Sequence, residues 1–186
     1  GENQLHGGPE GFDKRRWRIE RQNDNEVVFV LNSPDGDQGF PGNVHARAHF
    51  RLGDDHRLAI EYRATTDQPC PVNLTNHAYF NLDGEQSDVR NHTLQILADA
   101  YLPVDSMGLP TEGLKNVAQT SFDFREPKTV AHDFLTDDDQ RAVKGYDHAF
   151  LLQARGDVSQ PAAHVWSADK QLEMAVYTSA PALQFY

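Results

Sequence analysis

Nine residues, Val44 to Leu52, alternate apolar and polar side chains almost without a break, and that run constrains the fold more than any other feature of the chain. Val44, Ala46, Ala48, Phe50 and Leu52 fall on one face, and His45, Arg47, His49 and Arg51 on the other. Successive side chains of a strand point to opposite faces, so the run predicts a half-buried β-strand. Leu58 to Arg63 repeats the pattern, and Gly53-Asp54-Asp55 between the two supplies turn chemistry for a hairpin. Further strands are expected at Trp17 to Arg21, Glu26 to Asn32, Thr93 to Ala98, Ala149 to Gln153, His164 to Ser167, Leu172 to Thr178 and Leu183 to Tyr186. Turns at Pro34-Asp35-Gly36-Asp37, Asp83-Gly84 and Ala168-Asp169-Lys170 separate several of them. Thr129 to Ala142 alone is open to a helical reading, and its Asp137-Asp138-Asp139 run reads as a solvated cap or loop. Many short strands without alternating helices predict an all-β fold, a largely antiparallel sandwich or barrel. Tyr101 to Lys115, punctuated by Pro103, Gly108, Pro110 and Gly113, is expected to be a surface loop packing over a sheet end.

Composition sets the outer limits. The 186 residues suit one domain, with no repeat or low-complexity linker to divide it. Ten Phe, six Tyr and two Trp supply enough apolar area for a core, and 24% charged residues against 38% hydrophobic ones place the chain among globular proteins. A formal net charge of −11 repels phosphate backbones, and the small basic run Lys14-Arg15-Arg16 with Arg18 does not offset it, so nucleic acid is not expected as a partner. No run approaches the length of a membrane helix, and Gly1-Glu2-Asn3-Gln4 is not a signal peptide, so no membrane partner is expected either. The one cysteine, Cys70, flanked by Pro69 and Pro71, excludes an intrachain disulfide and reads as structural; a reducing cytoplasm is the expected location. Nine histidines raise the question of a metal. His45 and His49 lie four apart on one strand face, but Arg47 and Arg51 beside them oppose a cation, and no His-X-His or Cys-X-X-Cys spacing supports a tetrahedral site. No metal and no cofactor are expected, and the two histidines are expected to face solvent or to pair with acids on a neighbouring strand. There is also no Gly-X-Ser-X-Gly elbow and no glycine-rich phosphate loop.

The chemistry concentrates at Asn73 to Leu82, which reads Asn-Leu-Thr-Asn-His-Ala-Tyr-Phe-Asn-Leu. As a strand it would put Thr75, His77, Tyr79 and Asn81 on one face, offering hydroxyl, imidazole, phenol and amide to a ligand rich in hydroxyls, such as a sugar. A lone histidine is more often structural, so the pattern by itself leaves an ordinary exposed face open.

Thr75-Asn76-His77-Ala78-Tyr79-Phe80-Asn81-Leu82 resembles, position by position, the signature segment of the aldose 1-epimerases, or galactose mutarotases. Leu5-His6-Gly7-Gly8 with Gly11-Phe12 and Trp17 is similar to that family's Leu-His-Gly-Gly loop, Gly145-Tyr146-Asp147-His148 to its Gly-Tyr-Asp-His segment, and Pro181 to Tyr186 to the strand carrying a substrate-contacting glutamine. The matches run in family order, with the closest likeness to bacterial members. The resemblance implies a large twisted antiparallel β-sandwich, or supersandwich, over residues 1–186, with the sugar in an open groove. It also implies an isomerase that interconverts the α and β anomers of hexoses such as galactose and glucose, without cofactor or metal. In that chemistry an acid protonates the ring oxygen while a base removes the anomeric proton, and histidine suits the acid because its ordinary pKa of about 6.5 keeps both forms accessible. By resemblance His77 is the acid, and His6, Asn76, Tyr79, Asp147 and Gln184 bind the sugar.

The departures from the family pattern carry equal weight. The family's glutamate base lies downstream of the glutamine strand, and its Asn-Arg pair upstream of the Leu-His-Gly-Gly loop. Neither has a counterpart here, so the chain is expected to be an internal piece whose base lies beyond residue 186. Glu61, Glu112 and Glu173 sit in no matching segment and receive no such role. Two other readings stay open: a non-catalytic carbohydrate-binding sandwich, and a hexose-6-phosphate 1-epimerase. The preferred aldose and the oligomeric state are not legible.

Overall fold

The alternating run at 44–52 is the centre of a four-stranded meander. β1 (Arg18–Gln22), β2 (Glu26–Ser33), β3 (Val44–Leu52) and β4 (Leu58–Thr66) pair antiparallel in chain order, with Val44 opposite Thr66 and Leu52 opposite Leu58 across the expected hairpin. The computed structural model describes residues 3–84, 88–111 and 113–186, and its contacts separate residues up to Ala78 from Tyr79–Tyr186 as two compact units. In the first unit, Val44, Ala46 and Ala48 of β3 are buried, as the period-two pattern requires. On the opposite face His49 bonds Glu26 of β2 at 3.0 Å and His45 bonds Asn32 at 2.7 Å. The histidine stripe is therefore engaged by its neighbouring strand, one member through an acid and the other through an amide.

The second unit holds two more antiparallel sheets. β5 (Thr93–Ile96), β6 (Ala98–Leu102), β7 (Lys115–Asn116), β8 (Lys128–Thr129), β9 (His148–Leu152), β10 (Ala163–Trp166), β11 (Glu173–Val176) and β12 (Ala182–Phe185) assemble in the orders β11-β10-β5-β8 and β12-β9-β6-β7. The single strand expected over Thr93 to Ala98 proves to be a corner. The Leu97 N–H donates to Ala162, at the start of β10, and its C=O accepts from Gln153, at the end of β9, so the chain leaves one sheet and enters the other at that residue. Leu94, Ile96, Ala98, Tyr101, Phe150, Leu152 and Ala163 from the two sheets enclose one apolar cluster. Phe122 and Phe124, from a turn-rich segment between β7 and β8, fill its middle.

Three expectations need correction. No strand forms over Asn73 to Leu82, and no strand pairs with that segment among the described residues. Its polar side chains satisfy the backbone locally instead: Asn76 Oδ1 accepts from the Ala78 N–H at 2.8 Å, and Asn81 Oδ1 from the Asp83 N–H at 3.0 Å. The shared-face argument for His77 and Tyr79 falls with the strand. The 129–142 stretch is a 3-10 turn at Val130–Asp133 followed by a short helix, α1 (Asp138–Val143). Asp137 caps that helix by accepting from the Asp139 N–H, while Asp138 and Asp139 form its first turn and Asp139 accepts from the Tyr101 hydroxyl, so only the first of the three is the cap. Finally, Tyr101 and Leu102 belong to β6, and the loop after them is braced by Asp105, which accepts from the N–H groups of Met107 and Leu109. Glu112 lies outside the described residues.

Candidate active site

The Leu-His-Gly-Gly loop is built to hold an unfavourable backbone. His6, Gly7 and Gly8 have φ of 54°, 82° and 97°. For His6 this is the sparsely populated left-handed region, whose cost is kept only where the surroundings enforce it. Gly11 sits so close beneath it that a Cβ there would lie 2.2 Å from the His6 carbonyl oxygen. The loop is fastened from both ends. Arg15 Nη2 reaches both oxygens of Asp37 at 2.6 and 2.8 Å, and Gln38 accepts from the Glu10 N–H. The Ser33 hydroxyl, with Gln38 and Arg15, holds the Asp37 carboxyl below its ordinary range, which keeps that clamp ionised. The loop so fixed brings the His6 ring edge-on to His77, centroids 5.1 Å apart and planes at 87°. Two histidines distant in sequence thus meet, and both are exposed.

Within residues 79–186 a second group forms around Asp147. The Gly145 N–H donates to the C=O of Gln140 in α1, and the chain then passes through Tyr146 and Asp147 into β9. Tyr146 and His148 are buried, whereas Asp147 between them is only half-buried. Its Oδ1 accepts from Gln184 Nε2 at 2.8 Å, across the pairing of β9 with β12. Tyr186, two residues beyond Gln184, packs against Tyr79 with centroids 5.6 Å apart, and both rings are about two-thirds exposed, at 69% and 68%. Sequence reasoning passed over Tyr186; the signal was its i+2 spacing from Gln184, which keeps the same face of an extended segment. Asn76 commits its carbonyl to the Ala78 N–H, as above, leaving its amide to donate. Glu61 is bound by Arg63 at 2.7 Å and Glu173 by His164 at 2.8 Å. Among the described residues, no group of three or more His, Cys, Asp or Glu is placed to hold a metal ion, and no helix is long and apolar enough to cross a membrane.

His148 is the electrostatic outlier. Burial pushes its imidazole below the ordinary histidine range; Asp139, Asp147 and Asp137 oppose that shift and Lys115 reinforces it. A folded pKa below the unfolded value means that the unfolded chain binds the extra proton, so stability is complete above about pH 6.5 and is lost as pH falls from there toward the folded pKa. Urea midpoints are expected to drop between about pH 7.5 and pH 5.5, and the drop to shrink in His148→Phe. An unchanged drop in that variant would place the proton uptake elsewhere.

A family model described as aldose 1-epimerase matches residues 1–186. The chain is 72% identical over 186 residues to the aldose 1-epimerase of Escherichia coli (strain K12), covering all of this chain and 54% of that protein. It is 40% identical over 188 residues to the galactose mutarotase of Homo sapiens, covering 99% of this chain and 52% of that protein. A galactose 1-epimerase structure from Lactobacillus acidophilus NCFM superposes with a TM-score of 0.88 at 34% identity, covering all of this chain and 54% of that one. The chain spans about half the length of the curated relatives it matches. With the family model matching residues 1–186, all of this chain, the chain belongs to the aldose 1-epimerase family.

Proposed function

We propose that this chain carries the acid and part of the sugar-binding equipment of an aldose 1-epimerase, which interconverts the α and β anomers of free hexoses such as galactose and glucose. The observation that carries the reading is the edge-on pair of His6 and His77, built from two segments that both match the family pattern. In the reaction the anomeric hydroxyl gives its proton to a carboxylate base, the C1 to ring-oxygen bond breaks with its electron pair going to that oxygen, and His77 supplies the proton received there. Rotation about the C1–C2 bond and the reverse sequence give the other anomer. Asp147 accepts from sugar hydroxyls, Gln184 can donate and accept, and His6, Asn76 and Tyr79 complete the contacts. The base is assigned to no residue of this chain, since Glu61 and Glu173 are held by Arg63 and His164. The same reading takes residues 1–186 as one mutarotase-like domain with its single cysteine in a reducing cytoplasm.

The test follows the optical rotation of freshly dissolved α-D-galactose with the protein that carries this chain. Saturable acceleration above the buffer rate is expected. Saturable binding without acceleration would show a plain sugar binder, and acceleration confined to hexose 6-phosphates would move the substrate class.

A further inference from the structure

His148 stands where an apolar side chain would pack at lower cost. It is fully buried, with the rings of Phe122 at 4.7 Å and Tyr101 at 5.7 Å from its own, both close to perpendicular. Among the described residues its Nε2 has no hydrogen-bond partner. A buried ring nitrogen left unpaired is a net cost to folding, and a phenyl ring of similar shape would avoid it. What the imidazole provides is its other nitrogen. Nδ1 takes the backbone N–H of Asp147 at 3.1 Å. An amide can only donate, so Nδ1 carries the lone pair and the proton sits on Nε2. The bond fixes the backbone of Asp147 directly against a ring that is itself clamped by aromatic neighbours.

The geometry points to His148 as a positioning residue for sugar binding: it seats the Asp147 main chain so that the carboxylate meets Gln184 and sugar hydroxyls in a fixed orientation. Three observations converge on it. Asp147 sits between two buried anchors, with Tyr146 donating its hydroxyl to Ser121 C=O at 3.1 Å on one side and His148 on the other. Among the described residues the Asp147 side chain is aligned by one bond, from Gln184, so the angle of the carboxylate depends on the backbone that carries it. And the imidazole is packed between the Tyr101 and Phe122 rings, where among the described residues its Nε2 makes no bond and Nδ1 takes the Asp147 N–H.

The inference rests on the proposed sugar chemistry, and two substitutions in the protein that carries this chain separate the two. His148→Phe keeps ring volume and removes the acceptor; His148→Asn leaves a void but places a carbonyl oxygen where Nδ1 was. Stability and binding should therefore change in opposite orders. His148→Phe is expected to unfold at a temperature equal to or above wild type, and to raise KM for galactose by about tenfold with kcat within about threefold. His148→Asn is expected to unfold at a lower temperature, yet to keep KM within about threefold of wild type. If KM instead follows stability in both variants, His148 is only a core residue and the inference fails. Wild-type protein that does not act on galactose overturns the sugar reading and this inference with it.

Discussion

Replacing His77 with asparagine is expected to lower kcat for galactose anomer exchange by about 10²- to 10⁴-fold while KM changes little, because a positioned general acid, the role proposed for His77, contributes in that range. The ring oxygen is a poor leaving group without a proton, and asparagine can donate a hydrogen bond to it but cannot transfer one. The His77 side chain is exposed, so the substitution leaves the core intact and folding is expected within about 0.5 kcal/mol of wild type. His6→Ala supplies the contrast. The His6 ring meets His77 edge-on and its proposed task is to hold a hydroxyl, so the loss should appear mainly in KM. Optical rotation with α-D-galactose over a range of concentrations measures both. A His77→Asn protein that loses affinity and keeps kcat would strip His77 of the acid role and leave it a binding residue.

Why some of this was legible in the sequence and some was not comes down to which interactions are local. The hairpin of β3 and β4 could be read because alternation over Val44 to Leu52 and the Gly-Asp-Asp turn both follow from short-range geometry. β6 could not. Ala98 pairs with Leu152 and Ala100 with Leu151, so Asp99 is an extra residue in that ladder. The bulge puts buried Ala98 and buried Tyr101 three positions apart, which breaks period two and hides the strand. The segment at 73–82 failed in the other direction. Its composition looks extended and its residues are indeed those of the family pattern, but Asn76 and Asn81 close turns on their own backbone. The strand reading was wrong there; the turns set His77 edge-on to His6 and Tyr79 against Tyr186, contacts that no period-two pattern shows. The pairing of Asp147 with Gln184 was beyond sequence alone, since it depends on the register of β9 against β12, where Gln184 faces Ala149.

Phe122→Ala is expected to cost about 3–5 kcal/mol, the range for emptying a fully enclosed phenylalanine site. The residue has 0% exposure and lies stacked on Tyr101, with centroids 3.9 Å apart and planes at 12°. Its ring also meets Tyr146 and His148 edge-on at 5.6 and 4.7 Å, and such pairs add stabilisation beyond the buried area. Little can collapse into the void, because Tyr101, His148 and Phe150 around it belong to the paired strands β6 and β9, whose ladder fixes their spacing. Leu172→Ala is the internal control: at 56% exposure it should change stability by less than about 0.5 kcal/mol. Urea unfolding measures the totals, and amide exchange in β6 and β9 should quicken by about two to four orders of magnitude where opening is global. The same loss reaches the site. Tyr146 and His148 flank Asp147 in the chain, so a cavity at Phe122 loosens both anchors of that carboxylate, and sugar affinity should fall even where the protein stays folded. A Phe122→Ala protein that keeps wild-type KM at a temperature well below its midpoint would show that the aromatic core supports the fold without tuning Asp147, and would confine that role to the single bond from the Asp147 amide to His148.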